Sequence, residues 1–181
     1  MQLQLIRHTA PLLPSGICYG RSEVAVAQAD CLAVAAQWHR ANLEKRPIFS
    51  SPAQRCRQLA QLLSPMPSYD ARLLELDFGS WEMQSWDQIA RAEIDAWAAD
   101  TVAYAPGGRE NLSQMVARLR AFLNDLHAYA VDSAVLVTHG GVIRILAAWQ
   151  PGKSDVQLAQ RVCDLQETYP FASFTELEIF L

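Results

Sequence analysis

Arg7 and His8 stand where a short apolar segment ends, and Thr9, Ala10 and Pro11 follow at once. An unpaired charge is costly to bury, so this pair either marks the point where a strand reaches water or was placed there for chemistry. Other positions read alike. Ser50 and Ser51 end a brief apolar run, with Arg55 one turn into the segment behind them. Glu75 lies late in an alternating stretch, and His139 follows the apolar run Ala134-Val135-Leu136-Val137-Thr138. Each piece alone is weak, because Arg-His dipeptides arise by chance and a helix arginine is ordinarily solvated. Together they suit a phosphoryl group. Guanidinium groups match its oxygens with paired, charge-assisted hydrogen bonds. An unprotonated histidine can attack phosphorus, and a second histidine can donate to the oxygens as charge develops. A carboxylic acid can protonate the leaving oxygen and then activate water. Phosphoryl transfer through a phosphohistidine, without metal or cofactor, needs these parts.

The elements that must position them alternate. Residues 2–6, 47–50, 71–78, 134–138 and 173–180 read as strands, from period-two alternation or from continuous apolar runs. Residues 25–42, 52–63, 85–99, 111–129 and 142–149 read as helices, with Ser51 a good N-cap and Pro52 the first helical position. This order predicts an α/β fold, a three-layer sandwich with a mostly parallel central sheet flanked by helices. In such sheets ligands gather outside the carboxyl ends of the strands. If the strands run parallel, Arg7, His8, Arg55, Glu75 and His139 arrive on one rim.

The 181 residues predict a single domain, 1–181, with a small helical lid about 80–112. A hydrophobic content of 51% and 5 tryptophans support a compact core. A net charge of -4 gives no global bias toward nucleic acid or anionic membrane. The cysteines at 18, 31, 56 and 163 are scattered, which reads as reduced thiols rather than disulfides or a zinc site. The opening residues lack a signal-peptide pattern and no stretch has membrane-spanning length, so a cytoplasmic location is expected.

"LIRHTAP", "SSPAQRCRQLA", "LLELDFGSWEM" and "VLVTHGGVIRIL" resemble, in order and rough spacing, the signature segments of the histidine phosphatase superfamily, with its phosphoglycerate-mutase-like fold. The resemblance implies that His8 becomes phosphorylated, that Arg7, Arg55 and His139 form the phosphate pocket, and that Glu75 is the general acid and base. Asp77 is the reserve for that last role, since in an extended segment both would point to one side. Thr9, Arg21 and Gly140 complete the expected phosphate and substrate contacts. The sequence departs from the family pattern at Thr9, where glycine is common, and at Cys56 and Leu59. It departs again at Gly107-Gly108-Arg109-Glu110, where Gly-Gly-Glu-Ser is common. Most members read Trp-Glu-Gly where this chain has Trp81-Glu82-Met83, a variation similar to the α-ribazole phosphatase branch of cobalamin synthesis.

The expected partner is a small phosphorylated metabolite, with no nucleic acid and no membrane, for a monomer or homodimer. A general phosphatase, a phosphoglycerate mutase and a non-catalytic phosphate-binding module are the alternatives. Glu82 reads as a loop carboxylate, and His39 and His127 as structural. The tryptophans read as core and lid packing, except that Trp81 or Trp86 could line the substrate mouth.

Overall fold

The computed structural model describes residues 1–41 and 46–181. Its sheet has the order β3-β2-β4-β1-β5, formed by β1 (Gln2–Arg7), β2 (Ile48–Ser50), β3 (Ser68–Tyr69), β4 (Ser133–Thr138) and β5 (Phe174–Glu178). β1 and β2 both run parallel to β4, β3 runs parallel to β2, and β5 returns antiparallel to β1. The carboxyl ends of β1, β2 and β4 therefore open on one rim, as the α/β reading requires.

Helices cover both faces. Leu3, Leu5 and Leu136 point into a core completed by α4 (Leu112–Ala128), α5 (Gly140–Ala147) and α6 (Asp155–Asp164). Ile6, Val135 and Val137 point to the opposite face, against α1 (Gln28–Ala41) and α2 (Gln54–Leu63). Successive strand residues alternate sides, and both sides of β1 and β4 are apolar. Gln4, the polar interruption in β1, is also buried. Its side chain accepts from Trp38 Nε1 at 2.7 Å and donates to Glu176 at 2.7 Å, which satisfies it.

Several elements differ from the sequence expectation, including β3 at Ser68–Tyr69, which that reading lacked, and four differences matter here. Residues 71–78 do not form a strand. Asp70 accepts from the Arg72 amide at 2.8 Å and caps a 3₁₀ turn, Ala71–Leu73, and residues 75–78 have no regular structure. The buried positions there, Leu73 and Leu76, recur every three residues rather than every two. α2 begins at Gln54, two residues later than expected, with Ala53 rather than Ser51 at the cap position and no side-chain cap. Residues 85–99 divide into a 3₁₀ turn, Trp86–Gln88, and α3 (Arg91–Ala99). α6 has no counterpart in the sequence reading, although Ser154 and Gln157 form its capping box and spell a helix start. Residue 42, the last of the expected first helix, lies outside the described residues. No described helix is long and apolar enough to cross a membrane.

Candidate active site

At the end of β1 the His8 ring is 1% exposed, and its Nδ1 lies 2.7 Å from the Thr9 carbonyl oxygen. A carbonyl only accepts, so Nδ1 carries the proton. Burial, with Arg55 and then Arg7 nearby, pushes the His8 pKa from 6.5 down to about 3 against the opposing pull of the Thr9 hydrogen bond. The ring is thus neutral, with the lone pair on Nε2. His139, the N-cap of α5, lies 5.2 Å from His8 between ring centroids. Its Nε2 is 2.8 Å from Ser51 Oγ, and that hydroxyl also accepts from the Ala53 amide at 3.3 Å. Burial first, then Arg55 and His8, hold its pKa well below 6.5.

Two guanidinium groups flank the histidines. Arg55 is fully buried and donates to the carbonyls of Ser22 at 2.8 Å and Gly20 at 2.6 Å. Arg7 donates to the Tyr169 carbonyl, and its Cζ lies 4.0 Å from the Phe171 ring centroid. The Nε atoms of both arginines are buried with no hydrogen-bond partner among the described residues. Buried donors are costly to leave unpaired. Two of them beside two neutral histidines suit an anion with several oxygens.

Glu75 reaches this rim from the irregular segment. Its carboxylate accepts from the Gly141 amide in the first turn of α5, at 3.0 Å, and from the Leu76 amide, also at 3.0 Å. Gly141 leaves room for that contact: a Cβ there would strike the Glu75 carboxylate. Asp77 points elsewhere, accepting from the Gly79 amide at 3.0 Å and facing Arg21 and Arg109 at 3.6 Å each. The two carboxylates lie in a segment without regular structure and take different partners.

His8 and Glu75 also line a cavity of about 470 Å³ with apolar walls. Phe78, Trp86, Trp97, Leu112, Met115 and Val162 contribute to them. The Trp86 and Trp97 rings lie parallel within 6°, with centroids 6.1 Å apart. Phe78 meets both edge-on, at 5.8 Å and 6.0 Å. Trp81 is not at the mouth: it is 1% exposed and its indole N–H goes to Glu93.

Arg7, His8, Arg55, Glu75 and His139 therefore meet as the sequence suggested. Gly140 lies beside them, where a Cβ would approach Arg7 Cζ to 3.2 Å. Arg21 and Thr9 differ from expectation. Arg21 is drawn to Glu110 at 3.0 Å and Asp77 at 3.6 Å, so acidic neighbours occupy its guanidinium. Thr9 turns its hydroxyl to Cys31 Sγ at 3.3 Å and offers His8 only its carbonyl. Glu82 clasps the loop before it, accepting from the Arg21 amide at 2.8 Å and from the Ser22 hydroxyl. His39 meets the Leu62 carbonyl at 2.9 Å, away from the site. Sequence reasoning missed Trp97 and the Ser51–His139 contact. Spacing within one helix or between distant segments does not reveal either.

Comparison with known proteins fits this geometry. The model of the histidine phosphatase superfamily (branch 1) matches residues 4–168. The chain belongs to that superfamily. Within it, a curated protein of Hydrogenobacter thermophilus, provisionally named phosphoserine phosphatase 2, is 27% identical over 112 residues. That match takes in 58% of this chain and 55% of the relative, so the chain spans about half the length of the curated protein it matches. A phosphoglycerate mutase structure from Thermus thermophilus is 27% identical, with a TM-score of 0.72, covering 98% of this chain and 93% of its own. A protein of Escherichia coli K-12, provisionally named α-ribazole-5′-P phosphatase, shares the fold at 20% identity. Its TM-score is 0.81, with 97% of this chain and 89% of that one covered. Among histidine phosphatases of such different names the shared fold does not choose a substrate. The residues around each phosphate pocket must do so.

Proposed function

We propose that this histidine phosphatase is a phosphomonoesterase working through a phosphohistidine at His8. Its substrate is α-ribazole 5′-phosphate or a phosphate ester whose alcohol bears a similar flat aromatic group. The tryptophan-walled cavity that opens on both His8 and Glu75 carries this reading. A benzimidazole riboside presents a planar apolar ring of the kind aromatic walls hold.

The steps follow from placement. Arg7, Arg55 and His139 hold the phosphoryl oxygens, and His8 Nε2 attacks phosphorus. The N–P bond forms, the ester P–O bond breaks, and Glu75 gives its proton to the departing oxygen. Water then loses a proton to Glu75 and attacks phosphorus, the N–P bond breaks, and phosphate leaves. Among the described residues no three His, Cys, Asp or Glu side chains gather as metal ligands. Every proton in these steps can be carried by Glu75.

The test is kcat/KM for α-ribazole 5′-phosphate beside nucleotide, sugar and glycerate phosphates, with chelator present. A preference of several orders of magnitude for the ribazole ester is expected. A flat, low profile would overturn the substrate assignment. Release of an isomerised ester without inorganic phosphate would overturn hydrolysis itself.

A further inference from the structure

Glu75 must place a proton within hydrogen-bond reach of a leaving oxygen, yet residues 75–78 belong to no helix or strand. No ladder fixes their backbone. Functional groups of this kind need positioning to within about 0.5 Å, so something else must hold the segment.

Glu110 and Arg118 meet there in a forked pair. Arg118 Nε donates to Glu110 Oε1 at 2.7 Å, and its Nη2 donates to Oε2 at 3.1 Å. Oε2 also accepts from Arg21 Nη2 at 3.0 Å and from the Asp77 amide at 3.1 Å. The arginines then grip the backbone. Arg118 Nη2 at 3.1 Å and Arg21 Nε at 3.3 Å both donate to the carbonyl of Glu75 itself, and Arg118 Nη1 donates to the Arg72 carbonyl at 2.5 Å. The irregular segment is thus pinned at residues 72, 75 and 77 by side chains from α4 and two loops. The Glu110 and Arg118 side chains are only 11% and 14% exposed. Ion pairs so buried seldom stabilise a fold more than apolar residues of equal size would, so stability alone is a poor reason for this one.

We propose that Glu110 and Arg118, with Arg21, are positioning residues that set the Glu75 carboxyl against the leaving oxygen. The inference rests on the reading of Glu75 as the general acid. It also assigns a use to Arg21, whose guanidinium serves the acid rather than the phosphate.

The experiment compares kcat/KM for benzyl phosphate, whose alkoxide needs a proton to depart, with that for p-nitrophenyl phosphate, whose phenolate leaves without one. kcat/KM reports the steps through alcohol release, so later hydrolysis does not mask the difference. Glu110→Gln is expected to lower the benzyl value roughly 10–100-fold and the nitrophenyl value by less than about threefold. Arg118→Lys, which keeps the charge and loses the fork, should shift the ratio in the same direction and covers the case that Glu110→Gln fails to fold. Equal losses on both substrates would show a structural role and overturn the proposal, as would unchanged values on both. Glu75→Gln is the control. If it spares the nitrophenyl ester and Glu110→Gln does not, only the clamp fails. If Glu75→Gln affects both esters equally, the reading of Glu75 falls and the clamp falls with it.

Discussion

The phosphate pocket and the aromatic cap beside it are built on different principles. His8 and His139 extend β1 and β4, whose register pairs Arg7 with Thr138, so the sheet sets their separation. Arg55 follows from β2 in the same parallel set. The cap, between Asp70 and Asn111, has no strand of the sheet. It consists of 3₁₀ turns and one short helix, held by a small cluster around Cys18, Trp81 and Ile89 and by the Glu82 and Glu110 contacts. On the proposed mechanism, backbone hydrogen bonds place the nucleophile and side chains place the acid. On that reading, chemistry common to all phosphate esters sits on the part held by the sheet, and discrimination between alcohols on the part that side chains hold.

Substitutions can break this contrast, beginning with the largest effect. His8→Ala should lower kcat/KM by at least about 10³-fold on every ester and abolish acid-labile labelling of the protein. Retained labelling would remove the pocket from the mechanism. Gly141→Ala places a methyl on the Glu75 carboxylate without touching the arginines. A loss of about 10²-fold confined to alkyl esters is expected, while vanadate inhibition persists. A parallel loss of vanadate affinity would show that pocket and acid are not separable.

Trp97→Ala removes one cavity wall and should raise KM for aromatic-alcohol esters about tenfold, with little change for glycerol phosphate. Equal changes would remove the cavity from recognition. Protons give a smaller, graded effect. His8 and His139 are held below 6.5 in the folded protein, so the unfolded chain binds more protons as pH falls. Their contribution to stability is present above pH 6.5 and lost as pH falls. For His8 the loss runs from 6.5 toward about 3, at roughly 1 kcal/mol per pH unit, and His139 acts in the same direction. Melting at pH 7 and pH 5 should therefore show a steeper decline for the native chain than for His8→Asn. Identical slopes would contradict the lowered value.

The smallest effect belongs to the cap. Met83 has φ of 63° and is 50% exposed, a left-handed backbone carrying a side chain at the position where most members have glycine. Met83→Gly should stabilise by about 0.5–1 kcal/mol, measured by denaturant midpoint. Destabilisation would mean that the side chain contributes more than the backbone costs.

The contrast also explains what could be read from residue order. Arg7, His8, Arg55 and His139 were legible as one group because each sits at the end of an apolar run or one helical turn beyond it, and strand ends are visible as changes in hydropathy. Leu73 through Phe78 misled because alternation in a short stretch is shared by strands and by irregular chain that buries every third residue. Only Asp70 capping the turn distinguishes them. An extended reading of the same stretch leaves Glu75 and Asp77 on one side, and the family resemblance alone favours Glu75. Arg21 could not be assigned because its partners Asp77 and Glu110 come from distant loops.

Residue types and their order settled the chemistry, since guanidinium, imidazole and carboxyl groups fix what a site can bind and transfer. Apolar periodicity settled the alternation of strands and helices that brings those groups to one rim. Tertiary structure alone decided which partners hold each carboxylate, which tryptophans border the cavity and which arginines grip the backbone of Glu75. Those outcomes depend on contacts between segments far apart in the chain, where no local pattern records the partner.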